Sequence, residues 1–404
     1  MSRDEAQAGP AAPTLAPMSS LLVAAGGGGD ALAALVVHRL LGEVGPPAAV
    51  MTFAWERLRV DLIPGPRSIA DFRGLTSIGH HNALVTGETR PVPPSGSTLP
   101  RLAAEIDVPL LLLDPSHGAV GLRRQVTEAA ELLEVDAVHV VDVGGDILAV
   151  GDEPDLRSPL ADTLALCACI GLDVPTDVLV AGPGLDGELT ADYVRERVSL
   201  LRGHALGSLD GNHVSEASAQ LEWHPSEATA LLVAAAQGMR GTVELRDNGT
   251  PLTLDAGSAA VYRVDADVLA ISSLLAQPLM NTSSQEAAES VVRHICGSSE
   301  IDYERNKRDR LAASAAPVDD LDVDLRRVSE FLGEASSRDV DYVTVRRMAE
   351  AVAVPSLDVE AVRRALRRID PSGEAAPLWR THHTARTAQV KIGTTETFPA
   401  KGCQ

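Results

Sequence analysis

Four segments of the chain end a short apolar run in a loop of glycine and aspartate. They are LLVAAGGGGD (21–30), LLLLDPSHG (110–118), VHVVDVGGD (138–146) and DVLVAGPGLDGE (177–188). In the first, Gly26, Gly27, Gly28 and Gly29 stand between a strand and a helix. Glycines there let backbone N–H groups approach a ligand closely, and a helix N-terminus favours an anion. Gly26, Gly28 and Ala31 also fit G-x-G-x-x-A, which with Glu56 as a ribose acid would describe an NAD(P) site. Asp30 opposes a bare pyrophosphate at that helix start. A divalent cation, or a cationic or hydroxyl group on the ligand, would resolve the conflict. The bland alternative is a tight turn with Asp30 capping the helix. In DVGGD, Asp142 and Asp146 flank Gly144 and Gly145, so two carboxylates can hold a hydrated Mg²⁺ or bind sugar hydroxyls; either could equally serve a turn. Asp114 beside His117 pairs a carboxylate with an imidazole that titrates near neutrality, which makes His117 an acid/base candidate. Asp186 and Glu188 would complete an acidic ring, with Gly184 lining the same cleft.

Positive charge comes from the long loop over 56–100, where Arg57, Arg59 and Arg67 surround Pro64-Gly65-Pro66 and His80, His81 and Arg90 follow. Arginine suits bidentate contact with carboxylate or phosphate, although loop arginines are often simply solvated. His213 in LDGNHVSE has a similar standing. No serine nucleophile elbow, glycine-loop Walker lysine or H-E-x-x-H is present, which removes several hydrolase, ATPase and protease readings.

These loops need a scaffold that brings them to one rim. Apolar strands alternate with helical patterns from residue 21 to about 240: a helix after GGGGD stopped by Gly45-Pro46-Pro47, a strand over 48–55, a short helix over 99–106, and helices following each later strand. Ser158-Pro159 reads as a cap followed by proline at the first helical position. Such alternation predicts an α/β, Rossmann-like fold with a mostly parallel sheet and helices on both faces. Ligands of such sheets bind outside the carboxyl ends of the strands. Past residue 240, VELRDNGTPLTL holds an Asn248-Gly249 hairpin signal, and SAAVYRVDADVLA adds a strand. Together they predict an antiparallel edge on the parallel sheet. The expected division is a disordered tail over 1–19, the α/β domain over 20–300, a charged linker over 301–320, a helical module over 321–370 and a tail over 371–404. His382, His383 and the strand-like TAQVKI in that tail carry no assignment.

At 404 residues the chain can build a large core, and its net charge of −21 argues against a nucleic-acid partner. The four cysteines are too few and too irregular for a disulfide framework or zinc site, and Cys167 and Cys169 read as buried thiols. No apolar run is long enough to span a membrane, and the N-terminus lacks a signal-peptide core, so a cytoplasmic location is expected.

GGGGD, WERLRVDLIPGPRS, LLDPSHGAVGL, VDVGGDILAVGDEPDLRSPLAD and GPGLDGEL together resemble an uncharacterised prokaryotic family, domain of unknown function 1152, over roughly residues 20 to 300. The resemblance implies a Rossmann-like fold and a shared ligand rim, and no activity. The residues themselves predict an enzyme acting on a small phosphorylated or ribosylated metabolite, a nucleotide or sugar phosphate, by group transfer or a lyase or glycosidic reaction. Asp30, His117, Asp142 and Asp146 would be catalytic. The glycines, Glu56, Arg57, Arg67, Arg90, Asp114, Asp186 and Glu188 would bind substrate, with Mg²⁺ at Asp142 and Asp146. One alternative is an NAD(P)-binding oxidoreductase. The other is a ligand-binding or assembly protein using the C-terminal helices, whose mixed charge favours packing over DNA contact. Self-association into a homo-oligomer is compatible with either.

Overall fold

The computed structural model describes residues 18–246, 249–314, 325–352 and 358–381. At its centre are five parallel strands: β1 (Ser20–Gly27), β2 (Ala49–Phe53), β3 (Leu110–Leu113), β4 (Ala137–Val143) and β5 (Thr176–Ala181). Their order across the sheet is β3-β2-β1-β4-β5, and each neighbouring pair runs parallel. Successive side chains of β1 face opposite ways, as the pleat demands. Leu21, Val23 and Ala25 enter one apolar cluster, Leu22 and Ala24 the other. A strand buried on both faces needs a continuous apolar run, and LLVAA supplies it.

Helix α1 (Gly29–His38) covers one face, and α2 (Gly118–Leu132) and α3 (Pro159–Cys169) cover the other. Because the crossovers change face, the strand order reverses between β1 and β4. That is the switch point at which an open α/β sheet leaves a crevice for a ligand. Cys167 and Cys169 are buried within α3, and burial pushes both thiols up in pKa.

Antiparallel strands extend the sheet to nine. Ala260–Asp265 pairs with β5 and carries His204–Ser208 outside it, while Asn82–Val85 pairs with β3 and carries Thr76–Ile78. The hairpin Gly241–Leu245 with Thr250–Leu254 forms, but not on this sheet. It joins Tyr342–Val343, Leu378–Arg380 and Glu374–Ala375 in a separate five-stranded sheet. The local pattern fixes a hairpin; its partner is set by Tyr342–Val343, almost a hundred residues on, lying along its free edge. Residues 247 and 248 lie outside the described residues.

Of the segment expected to be a linker, 301–314 is helical, within α4 (Glu300–Ser314), and 315–320 lies outside the described residues. The helical module is present as Leu325–Ser337, Val345–Ala351 and Val359–Ile369, packed around Val328, Leu332, Met348, Leu366 and Trp379. It is joined to the α/β part by the shared five-stranded sheet. The tail over 1–17, and His382, His383 and TAQVKI, lie outside the described residues. Among the described residues no helix is long and apolar enough to cross a membrane.

Candidate functional site

The loops after β1, β4 and β5 meet in one cleft at the switch point, lined by Gly26, Gly27, Gly29, Asp30, Asp142, Asp146, Asp186 and Glu188. The β1 loop is packed on protein from behind. A Cβ on Gly27 would lie 2.1 Å from the Trp55 carbonyl oxygen, and one on Gly29 2.2 Å from Ser226 Cβ. These glycines therefore let neighbouring protein backbone and side chain close on the loop. That role disfavours the dinucleotide interpretation of the same spacing. Glu56 does line the cleft, but it accepts hydrogen bonds from Thr98 N (2.6 Å) and Thr98 Oγ1 (2.5 Å), which ties it to a helix start instead of a ribose.

Asp142, the penultimate residue of β4, accepts from Gly145 N at 2.8 Å across a turn in which Gly144 and Gly145 have φ of 120° and 102°. Neither glycine lines the cleft; a Cβ on Gly144 would meet Asp186 Cγ at 2.4 Å, so its bareness is what admits Asp186 to the cluster. Asp146 accepts from Ser158 Oγ at 3.1 Å. Glu188 accepts from Arg157 N (2.7 Å), Ser158 N (3.0 Å), Ser158 Oγ and Arg246 Nη2 (3.0 Å). Gly28 and Gly184 lie behind the cleft surface, Gly28 against Thr98 and Glu56 and Gly184 against Leu189 and Ala191.

Two further acids reach the cluster from elements the sequence reading did not use. Asp162 sits in the first turn of α3, and Glu300, at the start of α4, accepts from Leu160 N (2.8 Å) and Ala161 N (3.2 Å). Glu304, one turn on, accepts from Gly65 N (2.7 Å) and Trp55 Nε1 (3.0 Å). The signals were an aspartate inside the otherwise apolar SPLADTLALC and acids spaced four apart in EIDYE. Burial, and then the neighbouring carboxylates, hold Asp142, Asp146, Asp162, Asp186 and Glu300 well above the ordinary carboxylate range. Burial raises Asp30 to about 7, opposed by the Arg57 charge and the Gly26 N–H.

Arg57 and Arg157 line the cleft, are exposed, and show no ion pair or side-chain hydrogen bond among the described residues. His224 also lines it, almost fully buried. Its Nδ1 accepts from Ser226 N at 3.2 Å, which assigns the proton of the neutral ring to Nε2, and Nε2 has no partner among the described residues. Burial lowers its pKa to about 4. From the module, Arg346 enters the lining and pairs with Glu227 at 3.0 Å.

Several expected residues lie elsewhere. His117 is exposed and, with Asp114, outside the cleft lining, because β3 is separated from the switch point by β2. Asp114 caps its own turn, accepting from Ser116 N (2.9 Å), and takes Ile69 N (3.1 Å). Arg67 is buried on Asp61 at 3.1 Å and donates to the carbonyls of Ile63, Pro64 and Gly65, so it shapes the Pro-Gly-Pro loop and does not face a ligand. Arg90 is exposed and donates to the carbonyls of Gly87 and Thr89, away from the cleft. Of the three expected arginines only Arg57 reaches it.

No curated protein and no solved structure matches the chain. Residues 21–308 match the model of a family described as "Protein of unknown function (DUF1152)". That span holds β1 to β5, α1 to α3 and the larger part of α4, and with them every acid of the cluster, so the chain belongs to the DUF1152 family.

Proposed function

We propose that the protein is an enzyme acting on a small phosphorylated or ribosylated metabolite, of nucleotide or sugar-phosphate type, by group transfer or a lyase or glycosidic reaction. The observation that carries this reading is the meeting, at one switch point, of buried and half-buried acids from three strand ends with two arginines that show no ion pair among the described residues. Arg57 and Arg157 suit an anionic group, and the carboxylates suit hydroxyls or a metal bound beside it. Acids whose environments push their pKa values apart can divide the roles of proton donor and acceptor. Asp30, raised to about 7, is matched to proton transfer at neutral pH, the role the sequence reading gave to His117. Acyl transfer fits less well. Ser158 Oγ has its one proton between Glu188 and Asp146 and no imidazole base beside it, and no cysteine lines the cleft among the described residues.

The test is a thermal-shift screen of nucleotides and sugar phosphates, with and without Mg²⁺, on wild type and Asp142→Ala. Stabilisation of wild type alone supports the reading. No stabilisation by any compound, with both proteins alike, overturns it. Arg346 and its helix give some support to a second reading, in which ligand binding in the cleft is passed to the C-terminal module without chemistry. A ligand that stabilises the protein but is never turned over would favour that one.

A further inference from the structure

Two groups of three acids place ligand oxygens within 4.8 Å of one another: Asp142 with Asp146 and Asp162, and Asp146 with Asp186 and Glu188. Counting lone pairs at Glu188 separates them, although Asp186 Oδ2 in the second group is also buried without a partner among the described residues. A carboxylate offers about four acceptor positions. Glu188 uses them on two backbone N–H groups, the Ser158 hydroxyl and the Arg246 guanidinium, which also balances its charge. It has no position left for a cation.

The first group is different. Asp142 is held by one N–H, and Asp146 at most by the Ser158 hydroxyl, whose single proton lies closer to Glu188. Asp162, only 4% exposed, lines the cleft and accepts no hydrogen bond among the described residues. A buried carboxylate with no donor is costly unless it is neutralised or coordinates a metal. No arginine forms an ion pair with any of the three among the described residues: Arg246 is held by Glu188, and Arg57 and Arg157 line the cleft without pairing to them. An all-oxygen set of this kind selects a hard divalent ion. Adjacent ligand oxygens of octahedral Mg²⁺ stand about 3.0 Å apart and opposite ones about 4.2 Å, so oxygens already within 4.8 Å of one another close further when the ion binds.

We propose that Asp142, Asp146 and Asp162 bind one divalent cation of the Mg²⁺ class at the mouth of the β4 loop, with Asp162 as the ligand supplied by α3. The remaining coordination positions face the cleft, where water or a ligand oxygen would fill them. The inference concerns the same cleft as the proposed reaction but does not depend on it, because the ion is measured with no metabolite present.

The probe is Mn²⁺ added to the metal-free full chain, followed by electron paramagnetic resonance and calorimetry. We expect one isolated Mn²⁺ per chain, displaced by Mg²⁺. Asp162→Asn should weaken it by about tenfold or more, given that even outer-shell changes cost that much. Asp162→Asn should also fold at least as well as wild type without metal, since it removes a buried acid that has no partner; Asp142→Asn serves as the second variant. No Mn²⁺ in wild type, an exchange-coupled pair of ions, or affinity unchanged in both variants would overturn the proposal. A protein that binds Mn²⁺ but no phosphorylated metabolite would keep this site and lose the proposed function. One that binds the metabolite without any ion would do the reverse.

Discussion

Replacing Arg346 should show that the C-terminal module is a structural wall of the cleft and not an appendage. Arg346 and Glu227 are each 7% exposed and face one another at 3.0 Å; Arg346 also lies 3.3 Å from Glu350. Glu227 further accepts from Arg246 N (3.1 Å) and from the Thr344 hydroxyl of the module. In Arg346→Met the guanidinium is lost while two acids stay where they were. Removing one partner of a buried pair typically costs about 3–5 kcal/mol. Glu227→Gln keeps the acceptor for Thr344 and should cost about 1–3 kcal/mol. The double variant should cost less than the sum of the two, with a coupling of about 1–3 kcal/mol. Urea denaturation followed by tryptophan fluorescence measures all three, because Trp379 is buried in the module core. If Arg346→Met costs less than about 1 kcal/mol, the pair is not holding the module to the cleft as argued, since that is the range of an exposed pair.

Further outcomes follow from single residues. His224 has its folded pKa lowered from 6.5 to about 4, so its contribution is present above pH 6.5 and lost as pH falls to about 4. His224→Phe should therefore flatten the acid limb of the stability–pH curve by about 3 kcal/mol, read by urea titrations between pH 4 and 8. Gly29→Ala, which must push against Ser226, should lower stability by about 1–3 kcal/mol in the same denaturation assay. Gly211→Ala, with open space around it, should be neutral or stabilising by about 0.4–1 kcal/mol. Arg57→Ala and Arg157→Ala should each leave folding within about 0.5 kcal/mol of wild type. Each should nonetheless weaken calorimetric binding of a phosphorylated ligand about tenfold, the loss of one charge-assisted hydrogen bond.

What could be read from the sequence was local. A strand running into glycine and aspartate is a contiguous pattern, so Asp30, Asp142, Asp146, Asp186 and Glu188 stand out in it as candidates, as does the alternation that defines the sheet. What depended on strand order was not readable. DPSHG looks like the other three loops, but β3 lies beyond β2, and His117 never reaches the switch point. Helix α4 has the sequence of a charged linker because its charged residues spread around the helix without an apolar stripe. Its acids are held by Gly65, Trp55 and the start of α3, all far away in sequence. Asp162 was hidden in an apolar helix, where one acid among leucines and alanines gives no periodic signal. Arg67 gives no signal of its role, because a buried arginine that clamps its own loop has the same sequence context as one that binds an anion.

The most direct test of the shared cleft is a crystal structure grown with Mn²⁺ and a nucleoside monophosphate or sugar phosphate. The account requires the metabolite between the loop over 26–30 and the loop over 142–146, within reach of Arg57 or Arg157. An anomalous peak should stand among Asp142, Asp146 and Asp162. Ligand density elsewhere, such as the groove lined by Arg123, Arg124 and Glu128, with nothing bound at the acidic cleft, would contradict it.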